Sequence, residues 1–111
     1  MIIVTGGAGF IGSNIAQELS KKYRVVICDK LNDPIKKQNI APVKGKKIIK
    51  INEIFPFVEK NKKKISAVIH MGAISATDET NLELLLNNNY LYSLKLFNIC
   101  NKYNIKFIYA S

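Results

Sequence analysis

Thr5-Gly6-Gly7-Ala8-Gly9-Phe10-Ile11-Gly12 follows directly on the apolar run Met1-Ile2-Ile3-Val4, so a glycine-rich turn is expected between a buried strand and a helix beginning near Phe10. Glycine tolerates positive φ and, lacking a Cβ, lets backbone N–H groups approach a phosphate. The helix N-terminus behind it adds unpaired donors and a partial positive charge. Two registers fit the stretch, Gly7-x-Gly9-x-x-Gly12 and Gly6-x-x-Gly9-x-x-Gly12. Both leave Gly12 for close packing of helix on strand.

A glycine pattern is informative only in context. Here Arg24-Val25-Val26-Ile27-Cys28 reads as a second buried strand ending at Asp29, twenty residues after Gly9. That is where a carboxylate receives the adenosine ribose hydroxyls of a dinucleotide. The bland alternative is a simple strand–helix connector, with Asp29 capping a helix or solvated. The spacing favours a dinucleotide pyrophosphate at the turn.

A chain of 111 residues is one domain at most and short for a whole dinucleotide-dependent enzyme. No apolar run is long enough to span a bilayer, and the N-terminus lacks the basic-then-apolar order of a signal peptide. A soluble, cytoplasmic protein without a membrane partner is expected. Cys28 ends a strand and Cys100 sits on an apolar helix face, so both are expected as buried thiols, with no disulfide and no metal site. The net charge of +9 includes Lys60-Asn61-Lys62-Lys63-Lys64 and the cluster Lys44, Lys46, Lys47 and Lys50. These lysines fall in connections and helix ends without interleaved aromatic residues or a nucleic-acid module. They are read as a solvated, anion-attracting surface with no nucleic-acid partner.

Strand-like runs at Met1–Thr5, Arg24–Asp29, Lys47–Ile51, Ala67–Met71 and Lys106–Ala110 alternate with helical patterns, the signature of a parallel sheet covered on both faces. Helices are expected over Phe10–Lys21, Glu53–Asn61 and Glu79–Tyr103. Pro56 either kinks the second or marks its first turn. The third carries an apolar pattern of Leu82, Leu85, Leu86, Tyr90, Leu94, Phe97 and Cys100. Between Asp29 and Lys47 the chain reads as irregular, with Pro34 and Pro42 breaking any long helix. Right-handed crossovers then favour the strand order 3-2-1-4-5.

The stretch His70-Met71-Gly72-Ala73-Ile74-Ser75 leaves the fourth strand at the C-terminal edge of the sheet, beside the switch point where ligands lie in doubly wound folds. Gly72 and Ala73 would let backbone pass close to a flat cofactor. Ser75 and Thr77 either face the cleft or cap a helix. His70 is the single histidine and, belonging to the strand, is expected to be buried, neutral and bonded to backbone rather than a general base. Asp78 and Glu79 suit a helix start, where the dipole favours carboxylates. Asn88, costly inside a helix, either turns its amide toward the cofactor or is simply exposed.

Together these motifs resemble the extended short-chain dehydrogenase/reductase superfamily of NAD-dependent epimerases and dehydratases. The residues that carry the likeness are Thr5–Asn14, Asp29, His70–Thr77, Asn88–Tyr90 and Phe107–Ser111, in the family's order. Within the superfamily, Gly72–Thr80 with N-N-Y-x-Y-S at Asn88–Ser93 and Y-A-S at Tyr109–Ser111 is most similar to the ADP-heptose 6-epimerases, which make a heptose precursor of lipopolysaccharide. The likeness spans the chain except Pro42–Asn52 and about the first third of such an enzyme. It implies an α/β fold, a Rossmann-type doubly wound parallel sheet that is incomplete, over residues 1–111. The substrate-binding part of the family fold would lie outside this sequence.

The likeness also implies roles for particular residues. Gly6, Gly9, Phe10, Ile11 and Gly12 would form the pyrophosphate turn. Asp29 and Lys30 would meet the adenosine ribose, with Lys36 near a 2′-phosphate if the cofactor is NADP rather than NAD. Met71, Gly72, Ala73, Ile74, Ser75 and Asn88 would line the nicotinamide half. The catalytic serine or threonine and the family's Tyr-x-x-x-Lys pair are expected beyond Ser111, since Tyr90, Tyr103 and Tyr109 all lack a lysine four residues on. The intact enzyme would be a homo-oligomeric isomerase acting on an ADP-heptose-type nucleotide sugar. A related nucleotide-sugar dehydratase or 4-epimerase, and a remnant that at most binds nucleotide, are the alternatives.

Overall fold

Side chains alternate across a strand, so a run that is apolar at every position must be covered on both faces. Ile2–Thr5 (β1), apolar up to Thr5, and Val25–Cys28 (β2) are such runs, buried at all positions. A computed structural model describes residues 1–71 and 82–109, with the backbone alone over 82–88. The remaining strands are Lys47–Ile49 (β3), Ala67–His70 (β4) and Lys106–Tyr109 (β5), and the parallel sheet runs β3-β2-β1-β4-β5. The expected order is the one found.

Two cores flank the sheet. On one face Ile3, Val26, Cys28, Ile49 and Val68 pack with Ile54 and Val58 of helix α3 (Ile54–Asn61) and with Leu96 and Cys100 of α4 (Leu82–Lys102). On the other, Ile2, Val4, Val25, Ile27 and Ala67 meet Ala16 of α1 (Phe10–Leu19), Ile40 of α2 (Pro34–Ile40) and the following Val43. Each helix buries one stripe, and the sheet separates the pairs.

Helix α2 corrects the expectation of an irregular segment. Asp33 is its N-cap, accepting the Lys36 N–H at 2.8 Å, and Pro34 occupies the first helical position, where the missing N–H costs nothing and the fixed φ suits the helix. Pro34 therefore starts a helix rather than breaking one. Strand β3 ends at Ile49, with Ile27 opposite Ile48 and Cys28 opposite Ile49. A 3-10 turn at Ile51–Glu53 then leads into α3, so Pro56 lies in the first turn. The Glu53 carboxylate accepts the Lys50 N–H at 2.7 Å and fixes that junction.

On α4 the expected pattern is buried at Cys100 but not at Tyr90, Leu94 or Phe97, and the side chains of Leu82, Leu85 and Leu86 lie outside the described residues. Leu96 and Cys100 are fully buried, with Tyr92, Ile99 and Tyr103 packed beside them. These positions recur at i, i+4, i+7, i+8 and i+11. Tyr90, Leu94 and Phe97 lie outside that stripe and are exposed. The helix ends on Asn104 at φ 57°, with Asn104 N–H bonded to Asn101 C=O and Ile105 N–H to Cys100 C=O at 2.8 Å. This left-handed cap reverses the chain into β5 and drops Ile105 into the core.

Several lysines cover aromatic rings. Lys95 stands 4.3 Å from the Phe55 centroid and Lys62 4.6 Å from that of Tyr103. Such contacts contribute on the order of 0.5–1 kcal/mol at exposed sites. Among the described residues no helix is long and apolar enough to cross a membrane.

Candidate nucleotide-binding site

The turn after β1 resolves the choice of glycine register. Gly6 carries the positive φ, at 66°, and its N–H is tied to Cys28 C=O at 2.9 Å. The positive φ that the tight turn needs therefore falls on Gly6 rather than Gly7. The Gly6 carbonyl accepts the Gly9 N–H at 3.1 Å, and Gly9 is the N-cap of α1. A Cβ on Gly12 would lie 2.2 Å from that same Gly6 oxygen. Gly12 thus lets the helix approach the turn itself, not only the strand.

This geometry suits an anion. Phe10, Ile11 and Gly12 form the first turn of α1, whose N–H groups have no partner within the helix, and Gly9 supplies no side chain to cap them. Phe10 and Ile11 are 78% and 62% exposed, which is unusual for large apolar side chains at a helix start. They border the open end of the turn.

Asp29 sits just past β2 and is buried, so the solvated alternative does not hold. One carboxylate oxygen, Oδ2, accepts the Ala8 N–H at 2.9 Å. The other, Oδ1, accepts the Lys30 N–H at 2.6 Å and faces Lys36 Nζ at 3.0 Å. The same ammonium donates to Lys30 C=O at 3.1 Å. The glycine turn, the end of β2 and helix α2 are therefore joined through one carboxylate. Asn39 of α2 adds a second tie, donating to Ala8 C=O at 3.0 Å.

Beyond Asp29 and Lys30 a cavity of about 650 Å³ opens at the C-terminal ends of β2 and β3, walled by Leu31, Ile48, Ile51 and Asn52 among others. Apolar walls with a polar rim suit a flat heteroaromatic base. The Ile51–Glu53 wall and Asn39 are the parts that sequence reading misses. The Asp33-Pro34 helix-start signal was available to place Asn39, but nothing local points to the wall.

Met71 is half-buried, and its N–H lies 3.0 Å from Thr5 Oγ1. Gly72, Ala73, Ile74 and Ser75 lie outside the described residues, as do Thr77, Asp78, Glu79 and the Asn88 side chain. His70 is buried as expected, but its partners are hydroxyls rather than backbone: Nδ1 is 2.6 Å from Thr5 Oγ1, and Nε2 is 2.8 Å from Ser93 Oγ. Both cysteines are free and buried. Burial pushes the Cys28 thiol up to about 12 and that of Cys100 to about 11, so neither is a nucleophile near neutrality. Burial likewise raises the Tyr92 phenol, which donates to Ile51 C=O at 2.9 Å.

Burial lowers the His70 pKa below its ordinary 6.5. The unfolded chain takes up a proton as pH falls through about 6.5, while the folded chain resists until a lower pH. Stability is therefore complete above this value and declines below it, levelling off once the folded-state pKa is passed. Urea unfolding at about pH 7.5 and about pH 5.5 should show a lower midpoint at the acid condition. His70→Phe should remove most of that difference.

The family model described as NAD dependent epimerase/dehydratase matches residues 2–111. The ADP-L-glycero-D-manno-heptose-6-epimerase of Fusobacterium nucleatum is 43% identical, an alignment covering 100% of this chain and 35% of that protein. The crystal structure of the Helicobacter pylori enzyme of the same name superposes with a TM-score of 0.77 at 32% identity, over 99% of this chain and 38% of that one. The UDP-glucuronic acid 4-epimerase of Bacillus cereus in complex with NAD gives a TM-score of 0.76 at 28% identity, over 97% and 38%. The chain spans little more than a third of the length of these relatives.

Proposed function

Since the chain belongs to the NAD dependent epimerase/dehydratase family, we propose that it is the cofactor-binding portion of an NADP-dependent nucleotide-sugar epimerase acting on an ADP-activated heptose. The observation that carries the reading is the Asp29 carboxylate, which ties the Ala8 N–H of the glycine turn to the Lys36 ammonium. Phe10, Ile11 and Gly12 would present backbone N–H groups to the pyrophosphate, and the cavity beside Asp29 and Lys30 would take the adenine. Met71, with Gly72–Ser75 and Asn88, is proposed to border the nicotinamide half.

Bound there, a nicotinamide cofactor would supply reversible hydride transfer for an inversion at the heptose C6. The residues of this chain hold and orient the cofactor. A tyrosine acid/base, with its lysine, belongs to the remainder of the proposed enzyme. The heptose substrate is supported by the 43% identity to the Fusobacterium enzyme. A cytoplasmic location and an oligomeric intact enzyme belong to the same proposal.

Lys36 supports NADP over NAD. A lone buried carboxylate at the ribose would repel a 2′-phosphate, whereas an ammonium 3.0 Å from it offsets the charge and offers a donor. Lys36→Ala should weaken NADP by about 1–2 kcal/mol, roughly five- to thirtyfold, and leave NAD nearly unchanged. Calorimetric titration of the folded chain with both nucleotides measures this directly. Equal losses for the two cofactors would place Lys36 away from the 2′-phosphate, and no binding of either would remove the cofactor reading itself.

A further inference from the structure

Three elements meet at the single histidine. His70 closes β4 and is 1% exposed. Its Nδ1 lies 2.6 Å from the hydroxyl of Thr5, the last residue of β1, and its Nε2 lies 2.8 Å from the hydroxyl of Ser93 on α4. Either tautomer leaves both ring nitrogens partnered, because each hydroxyl can donate or accept. The Tyr92, Phe107 and Tyr109 rings surround the imidazole at centroid distances of 5.8, 5.8 and 5.4 Å.

The positions of the two hydroxyls matter more than the burial. Thr5 immediately precedes Gly6, the positive-φ residue of the phosphate turn, and its Oγ1 also receives the Met71 N–H. Ser93 follows Asn88 by five residues on a continuous helix, roughly 7.5 Å along its axis. A histidine that needed only to satisfy its own polarity could bond to a backbone carbonyl. This one spends both nitrogens joining β1 to α4, which are not neighbours in sequence.

We propose that His70 is a positioning residue: the Thr5–His70–Ser93 relay sets the spacing between the phosphate turn and α4, and thereby where the nicotinamide half of the cofactor rests. The inference builds on the cofactor reading above. His70 itself contacts neither cofactor nor substrate. The relay bears on the part of the site between the turn and α4, and not on the adenine cavity, which is built from the ends of β2 and β3 on the other side of β1. Its loss should therefore be felt by one half of a dinucleotide and not by the other. A packing role alone would treat both halves alike.

The test uses the 111-residue chain with two probes, NADP and 2′-phospho-ADP-ribose, which lacks the nicotinamide. Ser93→Ala removes one end of the relay while leaving the imidazole and its ring contacts in place. NADP affinity should fall about tenfold and that for 2′-phospho-ADP-ribose should change less than about twofold. Equal losses for both probes, or no loss for either, would overturn the proposal while leaving the cofactor reading intact. Failure of the unsubstituted chain to bind either probe would overturn the cofactor reading and this inference with it.

A second measurement needs no substitution. The chain has one histidine, so its two ring-nitrogen NMR signals are assigned without ambiguity. The Nε2 signal should move on adding NADP and stay in place on adding 2′-phospho-ADP-ribose. The same response to both ligands, or none to either while both bind, would overturn the relay.

Discussion

Gly12→Ala should lower the stability of the chain by about 2 kcal/mol or more, although alanine is the better helix former. Propensity alone would stabilise α1 by about 1 kcal/mol. Against this, the new Cβ would lie 2.2 Å from Gly6 O, 2.9 Å from Gly6 C and 3.1 Å from Gly7 Cα. All three are backbone atoms of a turn pinned by the Gly6 N–H to Cys28 C=O and the Gly9 N–H to Gly6 C=O bonds. Relief requires moving the helix off the turn or breaking those bonds, at a cost of about 3 kcal/mol or more. The clash outweighs the propensity gain, and with roughly 5–10 kcal/mol in hand the variant should stay folded with a clearly lower urea midpoint. Gly9→Val is the contrasting case. Gly9 has φ −71° and ψ 172°, open to any residue, and its Cβ would meet only Gly6 O at 3.3 Å. That variant should fold with a modest loss yet bind nucleotide at least about tenfold more weakly, because the side chain stands where phosphate approaches. Urea unfolding and calorimetry on the pair separate the two roles. An alanine variant as stable as the parent would remove Gly12 from the turn's packing, and unchanged affinity in the valine variant would remove Gly9 from the phosphate site.

The parts legible in the sequence are those set by local chemistry. Short runs rich in β-branched residues mark β1, β2 and β4, the glycine spacing marks the turn, and the acidic residue at the end of β2 marks Asp29. Where two local signals compete, tertiary packing decides between them. Asp33-Pro34 is both a breaker and a cap followed by a first-turn proline, and the cap prevails because α2 has Ile40 to bury against the sheet. On α4 two apolar stripes share one helix, so periodicity could not tell which faces the core. The sheet accepts Leu96 and Cys100, and Tyr90, Leu94 and Phe97 are left outside. The rest of the site is non-local. The bond from Asn39 to Ala8 C=O spans 31 residues and that from His70 to Ser93 spans 23. The contact of Lys36 with Asp29 depends on helix α2, which brings the ammonium back over the end of β2.

Part of the α4 surface is apolar and open to water. Tyr90, Leu91, Leu94 and Phe97 are 42% to 64% exposed, and Ile108 and Tyr109 of β5 are comparably open. Between helix and strand, Tyr90, Leu94, Phe97 and Tyr109 wall a cavity of about 470 Å³ with Ser93 and Phe107. β5 pairs with β4 alone among the described strands, so its other edge offers unpaired backbone groups beside an apolar face. That combination templates association. Half-burying four such side chains contributes on the order of 4 kcal/mol, which the cost of association largely offsets, so contact through this face is weak and strand pairing along β5 would tighten it. The 111-residue chain should therefore be monomeric when dilute and grow in mean mass as it is concentrated, by light scattering. Leu94→Lys with Phe97→Glu should suppress that growth while leaving the sheet intact, since neither side chain is buried in either core. A single monomeric species at high concentration that unfolds cooperatively on heating would mean that the α4 and β5 face is tolerated in water as it stands.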